Sequence, residues 1–400
     1  MKYAYLFIIS LLLLSCQKDA GNMDEVGLSA VQKQVIKGSN TLGFQLLKVS
    51  DSLNNGNGNI LIAPFNAHMG LACLLNGAEG QTKLQMEQAL GLDNISIADI
   101  NNSHKELVGV LNELPESNEL TSINSIWYST ELKPAFKQLS QLYYDAYTKN
   151  LDFGSPDAIN TINNWASTAS NNSINPLLDT INPFANLYLL NVATFNAPWE
   201  TPFDSSSTRI RTFYLDNGEV VNTPMMYTDK AFPYFTDGEV EFASLPYAGK
   251  NVHLGIIMPA GNNGIDKVIN SLSVNKWSYW LNSLDTTSSK TLWLPQLRLK
   301  GSLSLKESIS ALGYGVPYDD AADFTGLAET RVKVDEALQK TRLEINENGE
   351  YAHITNINSF LPDGNNLSSM VVNRPFLLVI WDQRTGAILF LSRIADPTKQ

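Results

Sequence analysis

Apolar and polar positions near the carboxyl end of the chain predict strands that enclose a long polar segment. Residues 342–347 alternate apolar and polar side chains with a period of two, which is typical of a half-buried strand. The apolar runs 376–381 and 387–391 flank a polar turn and predict a buried hairpin. The segment between these patterns, residues 347–373, has no helical stripe. Because it is about twice as long as the usual limit for a structureless connection, we expect it to be functional or disordered.

Elsewhere the chain mixes helical and strand-like patterns, and it contains no internal repeat. Apolar side chains recur with helical spacing over about 31–50 and predict one amphipathic helix. The near-continuous apolar run 187–193 is typical of a strand that is covered on both faces. A hydrophobic content of 44% over 400 residues is enough for a sizeable core, and no linker rich in Pro, Gly or Ser divides the chain after residue 30.

Several short motifs resemble the serpin family and follow one another in the same order as in that family. Glu347-Asn348-Gly349 is similar to the serpin hinge. Further similar blocks lie at residues 59–92, 187–193 and 373–376. The resemblance implies a single serpin domain over residues 31–400. Its fold would be mixed α/β (α+β), with three β-sheets, about nine helices and an exposed reactive-centre loop at about 347–373.

The resemblance implies a suicide-substrate inhibitor of serine endopeptidases, with cysteine endopeptidases as a second target class, rather than an enzyme. In that mechanism the nucleophile of the protease attacks one loop bond, and the cut loop enters the central sheet as a new strand. Family spacing places the cut at Asp363–Gly364 or a neighbouring bond. The expected scissile region comprises Phe360, Leu361, Pro362, Asp363 and Gly364. The implied partner is the target endopeptidase, and no cofactor is implied.

The residues after the hinge glycine depart from the family pattern. Inhibitory serpins carry Thr, Ser or Val directly after that glycine and then small residues, whereas this chain has Glu350-Tyr351. Glu350, the last hinge residue, would face the core after insertion, and burying an unpaired carboxylate costs several kcal/mol. The alternative interpretation is therefore a non-inhibitory serpin that acts as a cleavable substrate, a binding protein or a surface scaffold.

A second departure concerns the polar cluster that serpins place beneath the central sheet. The family usually has Ser, Ser and His around an Asn, and the matching positions here are Ala63, Asn66, Gln339 and Asn191. We expect Asn66 and Gln339 to share a buried hydrogen-bond network with Asn191. A Gln can donate and accept hydrogen bonds as a His does, but it does not titrate.

The amino terminus has the pattern of a bacterial lipoprotein signal. The apolar run 4–14 is too short for a transmembrane helix and is typical of a secretory signal peptide. The motif Leu-Leu-Ser-Cys, which ends at Cys16, resembles the lipobox. We therefore expect a signal peptide over residues 1–15, and a lipidated Cys16 with a polar tether over residues 16–30. An ordinary signal peptide with an incidental cysteine is the alternative.

Such a chain would be an exported lipoprotein, held by its lipid in the outer membrane or at the cell surface of a Gram-negative bacterium. Its net charge of −12 and pI near 4.8 argue against a nucleic-acid partner. The four histidines lack metal-ligand spacing, and no nucleophile elbow, phosphate loop or dinucleotide fingerprint occurs. We expect no metal, no cofactor and a monomeric chain.

Replacing Cys16 with Ser should release the protein from membranes, because that cysteine would carry the acyl chains. Each buried CH₂ contributes about 0.8 kcal/mol, so more than one chain holds the protein firmly. Fractionation of cells that express the wild-type and Cys16→Ser proteins measures the partition. A variant that stays wholly in the membrane fraction would contradict the lipoprotein interpretation.

Overall fold

The computed structural model describes residues 26–261, 264–286, 290–349 and 369–400. Nine helices occur within these ranges: α1 (Ala30–Leu53), α2 (Pro64–Leu75), α3 (Gly80–Leu90), α4 (Ile97–Asn112), α5 (Pro134–Tyr144), α6 (Ala158–Ala169), α7 (Ile265–Ser271), α8 (Val274–Asn282) and α9 (Leu305–Ala311). The same ranges contain fifteen strands: β1 (Ile60–Ile62), β2 (Glu119–Tyr128), β3 (Tyr147–Asn150), β4 (Leu187–Asn196), β5 (Arg209–Tyr214), β6 (Val220–Thr228), β7 (Tyr234–Thr236), β8 (Val240–Pro246), β9 (Val252–Pro259), β10 (Thr291–Pro295), β11 (Leu297–Ser304), β12 (Glu336–Ile345), β13 (Ser369–Val371), β14 (Phe376–Asp382) and β15 (Ile388–Ile394).

The first predicted helix is confirmed as α1, and its start is fixed by a capping box. The Ser29 hydroxyl accepts a hydrogen bond from the Gln32 backbone N–H at 3.2 Å, and Gln32 Oε1 accepts from the Ser29 N–H at 2.7 Å. This exchange satisfies two N–H groups that a helix start otherwise leaves without partners. The apolar face of α1 is buried, as its spacing predicted. Across the described ranges, no helix has the length and apolar character needed to cross a bilayer.

The strands form three sheets, as the resemblance implied. The central sheet has five strands in the order β11-β12-β4-β2-β3, the second has six in the order β1-β15-β14-β9-β8-β7, and the third has four in the order β13-β10-β6-β5. The predicted carboxyl-terminal hairpin is confirmed, because β14 and β15 pair antiparallel and every residue in both strands is buried. The mixed α/β fold is therefore correct.

The alternation over 342–347 marks the end of β12, but its polar face is not open to water. Glu344 is only 7% exposed. Its carboxylate accepts a hydrogen bond from Arg342 at 2.7 Å, and Arg342 also donates to the Ser173 carbonyl at 3.4 Å. The segment after α6 therefore covers this face of the sheet, and the strand is buried more fully than its pattern predicted.

Three histidines are buried in the fold and are neutral there. His68 on α2 and His104 on α4 face each other with Nδ1 and Nε2 3.1 Å apart. Loss of hydration lowers the pKa of His68 to about 3 and of His104 to about 4, and the neighbouring imidazole adds to the effect on His68. His253 lies on β9, which is flanked by β8 and β14 in its sheet. Loss of hydration likewise lowers the pKa of His253 to about 4. Each ring gains affinity for a proton when the chain unfolds.

Acidification should therefore destabilise the protein between pH ~6.5 and about 3. Above the pKa of an unfolded His (~6.5), the stability contributed by the neutral rings is complete, and below it the unfolded chain takes up protons that the folded chain excludes. For His104, whose pKa falls from about 6.5 to about 4, the loss of stability is about 3 kcal/mol at most. Urea midpoints at pH 7.5 and pH 5 measure the loss. His104→Gln should flatten this dependence, and an equal slope in both proteins would contradict the assignment.

Candidate functional site at the seam of the central sheet

The site lies along the ladder between β4 and β12, here called the seam. These strands pair directly and in parallel, from Glu336 opposite Tyr188 to Leu343 opposite Phe195. No third strand lies between them. β12 leads through residues 346–368 to β13, which belongs to the four-stranded sheet and pairs with β10. The long polar segment therefore connects two sheets and starts at one end of the seam.

Two aromatic residues hold the chain where β12 ends, and we call them the hinge clamp. The indole Nε1 of Trp199 donates to the Asn346 carbonyl at 2.8 Å, and its backbone N–H donates to the Asn348 carbonyl at 3.0 Å. The backbone N–H of Phe203 donates to the Glu347 carbonyl at 2.9 Å. Both side chains are buried, and Trp199 stacks on Tyr247 with ring centroids 4.4 Å apart. Three consecutive carbonyls are thus fixed before the loop begins.

The carboxylate of Glu347 is held by neutral donors. Thr208 Oγ1 donates to Glu347 Oε1 at 2.5 Å, and Gln296 Nε2 lies 2.8 Å from each carboxylate oxygen. Hydrogen bonds to a charged group are stronger than neutral ones. These link the end of β12 to Thr208, directly before β5, and to the connection between β10 and β11. The predicted hinge residue Glu347 therefore lies in the place where the sheet and the loop meet.

Gly349 occupies a position that no other residue could take without strain. Its φ is +87°, and an added Cβ would lie 2.5 Å from the Ala197 carbonyl oxygen and 2.9 Å from the Trp199 nitrogen. Asn346 Oδ1 accepts hydrogen bonds from the backbone N–H groups of Asn348 at 3.0 Å and Gly349 at 2.9 Å. The geometry explains why a glycine stands here. Glu350, the fourth predicted hinge residue, lies outside the described residues.

The predicted polar cluster forms a network beneath the seam. Gln339 Oε1 accepts from the Ala63 N–H and Gln339 Nε2 donates to the Ala63 carbonyl, both at 2.9 Å, and Nε2 also lies 3.0 Å from Asn66 Oδ1. Asn191 Nδ2 donates to the Asn66 carbonyl at 3.2 Å. Gln339 and Asn191 are fully buried and face each other across the seam, in register. The start of α2 is thereby tied to both strands of the seam.

Asn124 on β2 also belongs to this network, and sequence reasoning missed it. Its Oδ1 accepts hydrogen bonds from Asn191 Nδ2 and, at 3.3 Å, from Asn66 Nδ2. Ser122, two residues earlier, accepts from Asn66 Nδ2 at 3.1 Å. Both lie on the face of β2 that also carries Leu120 and Ile126. Polar residues within an otherwise apolar stripe were the signal that could have revealed them.

Other predicted site residues lie outside the described ranges. These are Cys16 and the scissile region Phe360–Gly364. Within the part of the chain that the structure describes, no group of three or more His, Cys, Asp or Glu side chains could hold a metal ion. Ser244 Oγ lies 3.0 Å from His253 Nδ1, but both residues are buried, and His253 Nε2 faces the Lys250 carbonyl at 3.2 Å. That pair has a structural role.

Replacing Gln339 with Leu should lower the free energy of unfolding by about 1–3 kcal/mol. The change leaves Asn66 Oδ1 and the Ala63 backbone N–H buried without a partner, and unsatisfied buried groups carry that cost. Gln141→Leu, on the exposed face of α5, is the matched control and should change little. Denaturant midpoints measure both variants, and an unchanged midpoint for Gln339→Leu would show that the network does not stabilise the fold.

A family model described as serpin (serine protease inhibitor) matches residues 37–397. Corticosteroid-binding globulin of Saimiri sciureus is 29% identical, and the match covers 85% of each chain. Intracellular coagulation inhibitor 2 of Tachypleus tridentatus is 27% identical over 86% of this chain and 87% of its own. The crystal structure of mouse protein-Z dependent protease inhibitor superposes with a TM-score of 0.82 at 25% identity, and covers 92% of this chain and 98% of its own. Because the family model spans most of the chain and the fold agrees with it, the chain belongs to the serpin family.

Proposed function

We propose that this protein is a suicide-substrate inhibitor of serine endopeptidases, with cysteine endopeptidases as a second target class. The observation that carries the proposal is the closed seam. β4 and β12 pair directly, and a long loop leaves the end of β12 through a glycine that is already turned back at φ +87°. The sheet is therefore closed, and the loop begins at one end of the ladder that it would have to open.

The free energy available for insertion is large. About fifteen loop residues would gain ladder hydrogen bonds at roughly 1 kcal/mol net each, so insertion is worth on the order of 10 kcal/mol. Opening the seam first breaks eight residue pairings between β4 and β12, and it separates Gln339 from Asn191, which both hydrogen-bond to Asn66 beneath the sheet. These losses lie early on the path, before most of the gain. The seam therefore sets the rate of insertion, and the loop sets its driving force.

Inhibition depends on that rate. The protease first forms an acyl-enzyme with the loop, and insertion must be faster than hydrolysis of this intermediate. For a typical enzyme the rate of that hydrolysis is about 10 per second. The names of two relatives, a coagulation inhibitor and a protease inhibitor, support inhibition as the function of those proteins. For this chain they support the same proposal.

A second candidate function is supported by one specific observation, the sequence Glu350-Tyr351 directly after the hinge. A carboxylate at the first position to enter the sheet would slow insertion, and a serpin that inserts slowly is cut rather than trapped. The protein would then be a cleavable substrate, a binding protein or a scaffold. Corticosteroid-binding globulin, a relative at 29% identity, is named for binding rather than for inhibition.

The lipobox-like motif at Cys16 supports one cellular location for the protein, whichever of the two functions it has. We propose that the lipid holds the protein at the outer membrane or cell surface of a Gram-negative bacterium, with residues 16–30 as a tether. The hydrophilic tether ends where α1 begins at Ala30. The protease would then be met outside the cytoplasm.

Cleavage of the loop between Phe360 and Gly364 should raise the Tm by tens of degrees. The reserve of about 10 kcal/mol is released when the cut loop inserts, and a chain of this size gains up to ~4 °C per kcal/mol. Differential scanning calorimetry before and after limited proteolysis measures the shift, with mass spectrometry to locate the cut. An unchanged Tm after a clean cut would mean that the loop does not insert.

Replacing Glu350 with Thr should shift the products of the reaction from cleaved protein toward covalent complex. If about 2 kcal/mol of the burial cost appears in the barrier, wild-type insertion is slowed about thirtyfold. Gel analysis of SDS-stable adducts across a panel of proteases gives the ratio, with the exposed Glu116→Thr as the control. Absence of complex with every protease for both proteins would favour the non-inhibitory function.

A further inference from the structure

The hinge contains a chemically reactive sequence, Asn348-Gly349. It is one of six Asn-Gly pairs in the chain. In such a pair the backbone nitrogen of the glycine can attack the side-chain amide of the asparagine, because glycine has no side chain to hinder the approach. Asn348 is exposed, so water reaches this amide. The pair therefore has the composition and the access that spontaneous deamidation requires.

Deamidation at this pair needs water as its only co-reactant. The Gly349 nitrogen loses its proton to solvent and bonds to Cγ of Asn348, while the Nδ2 group takes up a proton and leaves as ammonia. A water molecule then opens the resulting succinimide at either carbonyl, which gives aspartate or isoaspartate. In isoaspartate the main chain runs through the former side chain and is longer by a methylene group.

The closed hinge holds the peptide unit between these two residues at both ends. The Gly349 N–H donates to Asn346 Oδ1 at 2.9 Å and to the Asn346 carbonyl at 3.2 Å. The Asn348 carbonyl accepts from the Trp199 N–H at 3.0 Å. The peptide plane cannot turn toward Asn348 Cγ until these hydrogen bonds break, which requires local opening. We propose that Asn348-Gly349 is a self-modification site that reacts only when the hinge opens, and that Asn346 is the residue that guards it.

Two other Asn-Gly pairs provide internal references for the rate. Asn57 is exposed, and within the described ranges the Gly58 N–H donates no hydrogen bond, so this pair lacks a guard. Asn76-Gly77 follows α2 and is held in place, because the Gly77 N–H donates to the Leu74 carbonyl at 2.9 Å. The first pair reports the rate of an unguarded site, and the second reports whether the fold is intact.

Peptide mapping by mass spectrometry measures the three rates at mildly alkaline pH, with the urea-unfolded protein as the reference. In the folded protein Asn57 should deamidate close to its unfolded rate, and Asn348 at least about thirtyfold below its own. Asn346→Ala removes the two hydrogen bonds that Asn346 Oδ1 accepts from residues 348 and 349, and it should speed Asn348 about thirtyfold. Asn346→Asp keeps the acceptor and should keep the protection.

Asn222→Ala, at an exposed position of β6, is the matched control and should leave all three rates unchanged. If Asn346→Ala also deamidates at Asn76, it has lost its fold, and wild-type protein in sub-denaturing urea replaces it. There Asn348 should accelerate before Asn76. The proposal is overturned if folded Asn348 reacts at its unfolded rate, if a folded Asn346→Ala protein shows no acceleration, or if Asn348 and Asn76 accelerate together in urea. These outcomes do not depend on whether the protein inhibits any protease.

Resting on the proposed function, the modified hinge would no longer support insertion. The added methylene displaces every later residue relative to β12, and a strand in the wrong register presents the wrong side chains to the core. Aged samples of Asn346→Ala in an Asn57→Gln background should therefore lose the gain in Tm that follows loop cleavage, whereas fresh samples keep it. An equal gain in aged and fresh protein would overturn this consequence while leaving the modification site. Absence of the gain in fresh protein and in wild type would contradict the proposed function itself.

Discussion

The direct ladder between β4 and β12 is the constraint on which the rest of the structure depends. It joins the two halves of the central sheet, and the residues that hold it are concentrated at two levels. At the end of β12, Trp199 and Phe203 fix three carbonyls. Lower down, Gln339 and Asn191 face each other in register and are both bonded to Asn66. The ladder is closed, and contacts at both levels hold it closed.

The lower level consists of amide and backbone groups and contains no titratable side chain among its identified members. With Gln339 where the family usually has a His, its hydrogen bonds do not change between mildly acidic and neutral pH. Acid sensitivity arises instead at His68, His104 and His253, whose depressed pKa values come from burial in the helical and six-stranded parts of the fold. The stability of the whole protein and the closure of the seam therefore respond differently to pH.

The sequence predicts the large elements well because burial patterns are local. The hairpin of β14 and β15 and the helix α1 follow from continuous or periodic apolar residues. Two features of the structure could not be predicted from the sequence. The alternating pattern predicts that Glu344 faces solvent. Only the tertiary contact of Arg342 with Ser173 shows that this face of β12 is covered. Asn124 contributes to the network because it lies opposite Asn191 in the pairing of β2 with β4. The register between strands that are distant in sequence cannot be predicted from either strand alone.

The parallel direction of β4 and β12 has a consequence for the architecture of the sheet. A strand that left the end of β12 and turned back at Gly349 would run opposite to β12, and therefore opposite to β4 as well. One parallel ladder would be exchanged for two antiparallel ones. Antiparallel pairing is slightly more stable per residue, because its hydrogen bonds lie perpendicular to the strands rather than slanted. The direction of the chain thus favours adding a sixth strand to the central sheet, before any side chain is considered.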